Sequence, residues 1–226
     1  MQVTQLITEQ HTIDIMTDTP LPYLPLELKY EIISYMDKDS LIATTRTCFT
    51  LCGEAERYLY RDVRLSKKQI EKFSISLSGR NSRAYLVRKC IIIDFDLEDR
   101  EFINRVLVTL HNLHILAIIP PPLEDDARFG WNSLLDGCEF KLVEFMTSLE
   151  CDSSMIDFLR TQSHIQKYTH SGYTITTEDS DLHFLKPLTL PSLTHFYGNI
   201  MDINMIVPHR PVTHVTVDET VATIGQ

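Results

Sequence analysis

The first part of the sequence places apolar side chains at a helical spacing. Leu28, Ile32 and Met36 follow one another at intervals of four residues, so they fall on one face of a helix. Proline is favoured in the first turn of a helix, and Pro25 lies there. We therefore predict a first amphipathic helix from about Pro25 to Met36.

A second helical pattern follows without a long break. Asp39 is a suitable N-cap, because its carboxylate can accept hydrogen bonds from the free backbone N–H groups of the next turn. From Leu41 to Leu59 apolar positions recur every three or four residues, and Gly53 predicts a bend among them. The stretch Leu24–Leu65 is thus a group of short helices of ~40 residues, a size at which a hydrophobic core is marginal and a partner usually covers apolar surface.

Beyond residue 65 the apolar clusters follow one template, Φ-x-x-Φ-x-Φ, in which Φ is an apolar position, although the third and later clusters fit it loosely. The clusters are Val87-x-x-Cys90-x-Ile92, Leu113-x-x-Leu116-x-Ile118, Leu142-x-x-Phe145-x-Thr147, Ile165-x-x-Tyr168-x-His170, Leu193-x-x-Phe196-x-Gly198 and Val212-x-x-Val215-x-Val217. Their first positions are 26, 29, 23, 28 and 19 residues apart. Helix-compatible runs lie before or between them, at Ser66–Leu77, Glu98–Leu110, Trp131–Cys138, Ser153–Thr161 and Asp202–Val207. One strand and one helix per unit is the period of a leucine-rich repeat, whose units bury their apolar faces by stacking.

The repeats are irregular. A regular repeat has an asparagine or cysteine three positions after the last Φ, and these positions hold Phe95, Pro121, Glu150, Tyr173, Met201 and Thr220. No polar closing helix follows the last cluster, so we expect an uncapped C-terminal end, as in a chain truncated relative to its relatives. The alternative is a mixed α/β domain without solenoid stacking.

The residues of the N-terminal helices also resemble a known family. Their pattern is Leu24-Pro25, Glu27-Leu28, Ile32, Met36, Asp39-x-Leu41, Thr47-Cys48 and Leu51. This combined spacing is similar to the F-box, the motif that docks on a Skp-type adaptor. The Pro-Ser-Leu-Thr and His-Asn-Leu-His phrases that precede strands resemble the degenerate repeats that follow the F-box in fungal F-box proteins. Periodicity alone would equally fit an ordinary segment of a globular core.

The resemblance implies an α/β architecture in three parts. A flexible segment at residues 1–22 precedes a three-helix F-box at 23–65, and an irregular leucine-rich-repeat-like α/β solenoid at 66–226 binds the substrate. The residues expected to contact the adaptor are Leu24, Pro25, Leu28, Ile32, Met36, Leu41, Cys48 and Leu51.

The implied function is that of a substrate receptor in a cullin-type ubiquitin ligase. Its partners would be the adaptor, the cullin reached through the adaptor, and a protein target. The chain itself would be a non-catalytic subunit without a cofactor. The alternative is an F-box-like interaction scaffold, or a shortened product, that assembles no ligase.

Charge and cysteine content narrow the possible partners and compartments. The formal charge is −10, and residues 91–226 hold 20 acids against eight Lys or Arg, which argues against a nucleic-acid groove. A basic segment at residues 66–90 is expected to be solvated helix surface. Five scattered cysteines without a C-x-x-C pair fit a reducing compartment. With no signal-peptide pattern and no long apolar run, we expect a cytoplasmic or nuclear protein that does not bind membranes.

The residues that could carry chemistry do not form a known catalytic motif. His111-x-x-His114 is the closest histidine pair, but it runs into a predicted strand without a further ligand at a customary spacing. The acids at Glu124–Asp126 and Glu178–Asp181 are expected to lie in solvated loops. The sequence contains no Gly-rich phosphate-binding motif. Cys48, Cys52 and Cys90 are expected to be buried and inert. A hydrolase or metal enzyme is therefore only a third hypothesis, and we expect no metal site.

Overall fold

Seven short strands form one parallel sheet in the part of the chain that the structure describes. This computed structural model describes residues 25–47, 49–79, 81–121, 133–149, 151–171 and 189–218. The strands are β1 (Asp62–Ser66), β2 (Lys89–Ile93), β3 (Ile115–Ile119), β4 (Glu144–Thr147), β5 (Lys167–His170), β6 (His195–Gly198) and β7 (His214–Val217). Their order in the sheet is their order in the chain, so every strand pairs in parallel with its sequence neighbours.

Each of the six apolar clusters forms a strand, β2 to β7. In β2 to β6 the second and third Φ positions of the template face the core, and the residue between them is half-buried in each of these strands except β3, where Ala117 is buried. One strand was not predicted. β1 begins at Asp62, directly after the helix that ends at Arg61, so no turn residue marks its start. Its core-side residues Val63 and Leu65 were assigned to the three-helix F-box at 23–65.

The strand register aligns the core side chains in rows across the sheet. Cys90 pairs with Leu116, Leu116 with Phe145, Phe145 with Tyr168, and Tyr168 with Phe196. All five are fully or almost fully buried. Because the side-chain period of a strand is two, this register places equivalent residues of successive units in contact, and one continuous core results.

The described residues contain seven α-helices. They are α1 (Leu26–Ser34), α2 (Lys38–Thr44), α3 (Phe49–Arg61), α4 (Lys67–Ser78), α5 (Arg100–Thr109), α6 (Ser153–Thr161) and α7 (Ile200–Ile206). Two 3-10 turns lie at Asn81–Leu86 and Leu97–Asp99. The helices predicted at Ser66–Leu77, Ser153–Thr161 and Asp202–Val207 are confirmed with small shifts of their ends, and Glu98–Leu110 forms a 3-10 turn followed by α5.

Three local predictions are wrong. Asp37, not Asp39, caps α2, because its side chain accepts from the backbone N–H of Ser40 at 2.8 Å and Asp39 lies in the first turn. Gly53 lies inside the continuous helix α3, so no bend occurs there. The helix predicted at Trp131–Cys138 is absent from its described part, where residues 133–137 form turns.

Gly198 occupies the last Φ position of the fifth cluster for a steric reason. A Cβ atom there would lie 2.9 Å from the ring of Phe196 and 3.2 Å from the carbonyl oxygen of His170. The carbonyl belongs to the neighbouring strand and cannot move away as a side chain could. Glycine therefore lets β5 and β6 approach while the Phe196 ring fills the adjacent core.

An ion pair joins the N-terminal helices to the sheet. Arg83 donates to Glu56 from Nη2 at 2.6 Å and from Nε at 3.2 Å, and its Nη1 donates to the carbonyl of Ser76 at 3.0 Å. Its guanidinium also lies 5.2 Å from the ring centre of Tyr60. Burial lowers the pKa of Arg83, but the hydrogen bond and charge of Glu56 outweigh it, so the pKa is raised. One side chain thus connects α3, α4 and the turn before β2.

We expect Arg83→Ala to lower the free energy of unfolding by about 2–4 kcal/mol, because it leaves the mostly buried Glu56 carboxylate without this cation. Urea denaturation measures the change. Arg105→Ala is the matched control, since Arg105 also pairs with an acid, Glu101 at 3.4 Å, and also lies against a ring, but is 66% exposed. The control should cost less than about 1 kcal/mol. Equal costs for the two variants would contradict a structural role for the Arg83 pair.

Candidate functional site

The helices α1, α2 and α3 have a very small core of their own. Ile33, Leu41 and Ala55 are its buried residues, and four partly buried apolar side chains, Met36, Leu51, Tyr58 and Leu59, pack against them. This cluster is separate from the core beneath the sheet. So few buried side chains supply little stability, and a helical group of this kind usually gains the rest from what covers it.

The same helices expose an unusual amount of apolar surface. Leu28 and Ile32 are 44% and 49% exposed, and Tyr35 is 83% exposed. Leu28 and Ile32 lie four residues apart in α1, and Tyr35, the C-cap residue that follows α1 in a helical conformation, lies three residues further on, so the three share one helical face. Outside this face, Ile42 of α2 and Phe49 of α3 are 38% and 93% exposed. We call these five residues the exposed apolar group.

The predicted adaptor-binding residues divide into three sets. Pro25, Leu28 and Ile32 are exposed, as docking requires. Met36 and Leu51 are half-buried and Leu41 is buried, so these three mainly hold the helices together. Leu24 and Cys48 lie outside the described residues. The exposed Tyr35 and Phe49 were not among the predicted residues, although Tyr35 lies seven residues after Leu28 and therefore continues its helical spacing.

A second accessible surface is the sheet face opposite the core. Its middle row runs through Ile91, Ala117, Met146, Thr169 and Tyr197, which are register partners on successive strands. Apart from Ala117, these side chains are neither buried nor fully exposed. Within the described part of the chain, no helix buries this row. The sheet therefore presents a shallow, partly apolar surface.

Among the described residues, a histidine and an aspartate form a buried polar pair. His170 Nδ1 lies 2.7 Å from Asp202 Oδ2, and Nε2 lies 2.9 Å from the carbonyl oxygen of Leu149. Both neighbours are acceptors, so both contacts are hydrogen bonds only when the ring carries two protons. Burial lowers the pKa of His170, but the hydrogen bond and charge of Asp202, together with the Leu149 carbonyl, raise it above its usual value.

This pair cannot act as a catalytic dyad in the described structure. His170 and Asp202 are 1% and 0% exposed, and both ring nitrogens are already occupied. Asp202 also belongs to the first turn of α7, where its backbone N–H donates to the Asn199 side chain at 2.8 Å. The pair therefore attaches α7 to β5 and to the segment after β4.

The other candidate reactive groups lack a suitable setting. Cys90 is buried, as predicted, and burial raises the pKa of its thiol to about 12. Cys52 is only half-buried, contrary to its prediction. His111 and His114 are exposed, and His111 stacks near Tyr85 at 5.4 Å between ring centres.

No group of three or more potential metal ligands occurs among the described residues. Glu124–Asp126 and Glu178–Asp181 lie outside them. A search of the described helices likewise finds none with the length and apolar character needed to cross a membrane.

Comparisons with known proteins do not assign a family. A scan against models of known protein families finds no match, and a search of curated proteins finds no relative. The functional conclusion therefore depends on the residues and their geometry.

Proposed function

We propose that this chain is a substrate receptor of a cullin-type ubiquitin ligase. In this proposal α1 to α3 form an F-box that docks on a Skp-type adaptor, and the following strands and helices form a leucine-rich-repeat-like solenoid that holds a protein target. The single observation that carries it is the exposed apolar group on helices whose buried apolar cluster, among the described residues, consists of Ile33, Leu41 and Ala55.

The sheet supports the second half of the proposal. Its strands are parallel and sequential, and each is 19 to 29 residues after the one before, as the sequence template requires. Within the described residues no helix covers the face opposite the core, and such a face suits recognition of an extended or folded protein surface. The Arg83–Glu56 pair holds this sheet against α3. A rigid connection between a docking site and a target site raises the effective concentration of the target at the ligase.

Catalysis in this proposal belongs to other subunits, and the protein works in the cytoplasm or the nucleus without a cofactor.

The second candidate is an F-box-like scaffold, or a shortened product, without ligase assembly. The observation that favours an interaction scaffold is the exposure of Val215 and Val217, at 44% and 45%. These are the core-side residues of β7, and within the described residues nothing covers them.

A pull-down with purified Skp-type adaptor tests the docking site. We expect the wild-type protein to retain the adaptor and Ile32→Asp to reduce retention by at least about tenfold, because a carboxylate would be desolvated at the centre of an apolar contact. Ile75→Asp is the matched control, since Ile75 is 65% exposed on α4, outside the docking helices. Leu24→Ala/Pro25→Ala tests the predicted start of the motif. Circular dichroism checks that each variant is folded.

A well-folded wild-type protein that retains no adaptor would refute the docking proposal. Equal losses in Ile32→Asp and Ile75→Asp would also count against it, because they would indicate non-specific capture. If docking holds, reconstitution of ubiquitination with adaptor and cullin separates the two candidates. A ligase receptor supports transfer to a co-purified target, whereas a scaffold does not.

A further inference from the structure

A cleft lies where the last turns of α3 meet the starts of β1, β2 and β3. Its volume is about 510 Å³, within the roughly 300–1,000 Å³ typical of small-molecule sites. Arg57 and Arg61 reach it from successive turns of α3, Arg88 and Lys89 from the start of β2, and His114 from the segment before β3. The cleft thus collects cations from elements far apart in the chain, in a protein of net charge −10.

The charge of the cleft is not neutralised internally. Two acids also line it, and one of them, Glu54, pairs with Arg57 at 3.3 Å. Arg61, Arg88 and Lys89 then face a single remaining acid, Asp62, so the cleft has an excess of two positive charges before His114 is counted. Within the described residues, Arg61 and Lys89 have no side-chain partner. Arg61 and Lys89 are therefore available to a ligand, and Arg88, whose Nη1 donates to the carbonyl of Asn112 at 3.2 Å, adds a third cation beside them.

This arrangement selects among anions. Guanidinium groups match the oxygens of a phosphate in a bidentate fork, and an ammonium adds a point charge. An excess of two positive charges complements one phosphate monoester dianion better than a single carboxylate. The cleft is also lined by Tyr58 and Tyr85, and the latter is 52% exposed, so an organic group attached to the phosphate has aromatic surface to pack on.

We propose that this cleft binds a small organic phosphate monoester. The phosphate contacts Arg61, Arg88 and Lys89, and its organic part lies toward the tyrosines. The site joins α3 to the first three strands, so an occupied cleft stabilises the contact between the helical group and the sheet. This proposal is independent of the ligase function, because it uses none of the residues of the exposed apolar group.

Isothermal titration calorimetry at low salt tests the site with three probes. Adenosine monophosphate and ribose 5-phosphate both carry the monoester, and adenosine carries only the base and sugar. We expect the two phosphates to bind at concentrations up to ~1 mM and adenosine not to bind. Binding should weaken as the salt concentration rises, because it depends on exposed charges.

Paired variants locate the binding. Arg61→Gln/Lys89→Gln should weaken phosphate binding by at least about tenfold, since it removes two charge-assisted contacts. Lys68→Gln/Lys72→Gln removes the same net charge from exposed positions on α4 and should leave binding unchanged. The proposal is overturned by absent binding of both phosphates, by equal binding of adenosine, or by equal effects of the two double variants. Thermal unfolding without ligand verifies that both variants are folded.

Discussion

Asp202→Ala is expected to lower the free energy of unfolding by about 3–5 kcal/mol. Asp202 is fully buried, and its carboxylate lies 2.7 Å from Nδ1 of the equally buried His170. Without it, the second proton on His170 has no partner, and the ring must lose either its charge or one of its two hydrogen bonds. The α7 turn also loses its attachment to β5. Chemical denaturation followed by circular dichroism measures the loss.

Asp157→Ala is the matched control for this variant. Asp157 is likewise a helical aspartate with a cationic partner, Arg160 at 2.5 Å, but its side chain is 71% exposed. Exposed pairs of this kind contribute at most about 1 kcal/mol, because water screens them. A cost for Asp202→Ala no larger than that of Asp157→Ala would show that the buried pair does not stabilise the fold.

The stabilisation by the His170–Asp202 pair should decrease as the pH rises. The pKa of His170 is raised in the folded protein. The charged His170–Asp202 pair therefore contributes fully to the free energy of unfolding below the unfolded pKa of about 6.5, and this contribution is lost as the pH rises through the folded pKa. Asp202→Asn removes the carboxylate, and burial then lowers the pKa of His170. We therefore expect the stability difference between wild type and Asp202→Asn to shrink as the pH rises above about 6.5. A difference independent of pH would contradict the charged pair.

The strands were predictable because core-facing residues recur at every second position of a strand, and the chain repeats this pattern in each apolar cluster. Each cluster supplies the same two core-side positions, and alternation in a strand leaves only one register that buries them. The polar His170 can occupy a core position of the template because its ring N–H donates a hydrogen bond to Asp202, 32 residues away in the sequence. A polar residue in a core row was visible in the sequence, but its partner could not be found from local spacing.

The helices α1 to α3 were harder to predict in detail. An amphipathic pattern marks apolar positions without saying whether they pack inside the group or remain for a partner. Leu41 and Ile32 look alike in the sequence, yet Leu41 is 7% exposed and Ile32 is 49% exposed. The cap of α2 depended on where α1 ends, since Asp37 and Asp39 offer the same chemistry. The residues that line the cleft between α3 and the first strands come from three separated segments, which no motif links.

Phe145→Ala is expected to lower the free energy of unfolding by about 3–5 kcal/mol. Phe145 is fully buried at the middle of the sheet. Its ring stacks on Tyr168 at 5.7 Å and meets Phe158 of α6 edge-on at 5.7 Å. Removing it opens a cavity between a strand and a helix that cannot close without moving the ladder. Urea denaturation provides the measurement, with Phe49→Ala as control.

Phe49 is 93% exposed, so the same truncation there should change stability by less than about 0.5 kcal/mol. The loss at Phe145 should also be local, because β4 pairs only with β3 and β5. Hydrogen exchange should therefore accelerate most in β3, β4 and β5 and least in β1. Uniform acceleration across all strands would instead indicate one cooperative unit, in which the sequential order of the strands does not govern how the sheet opens.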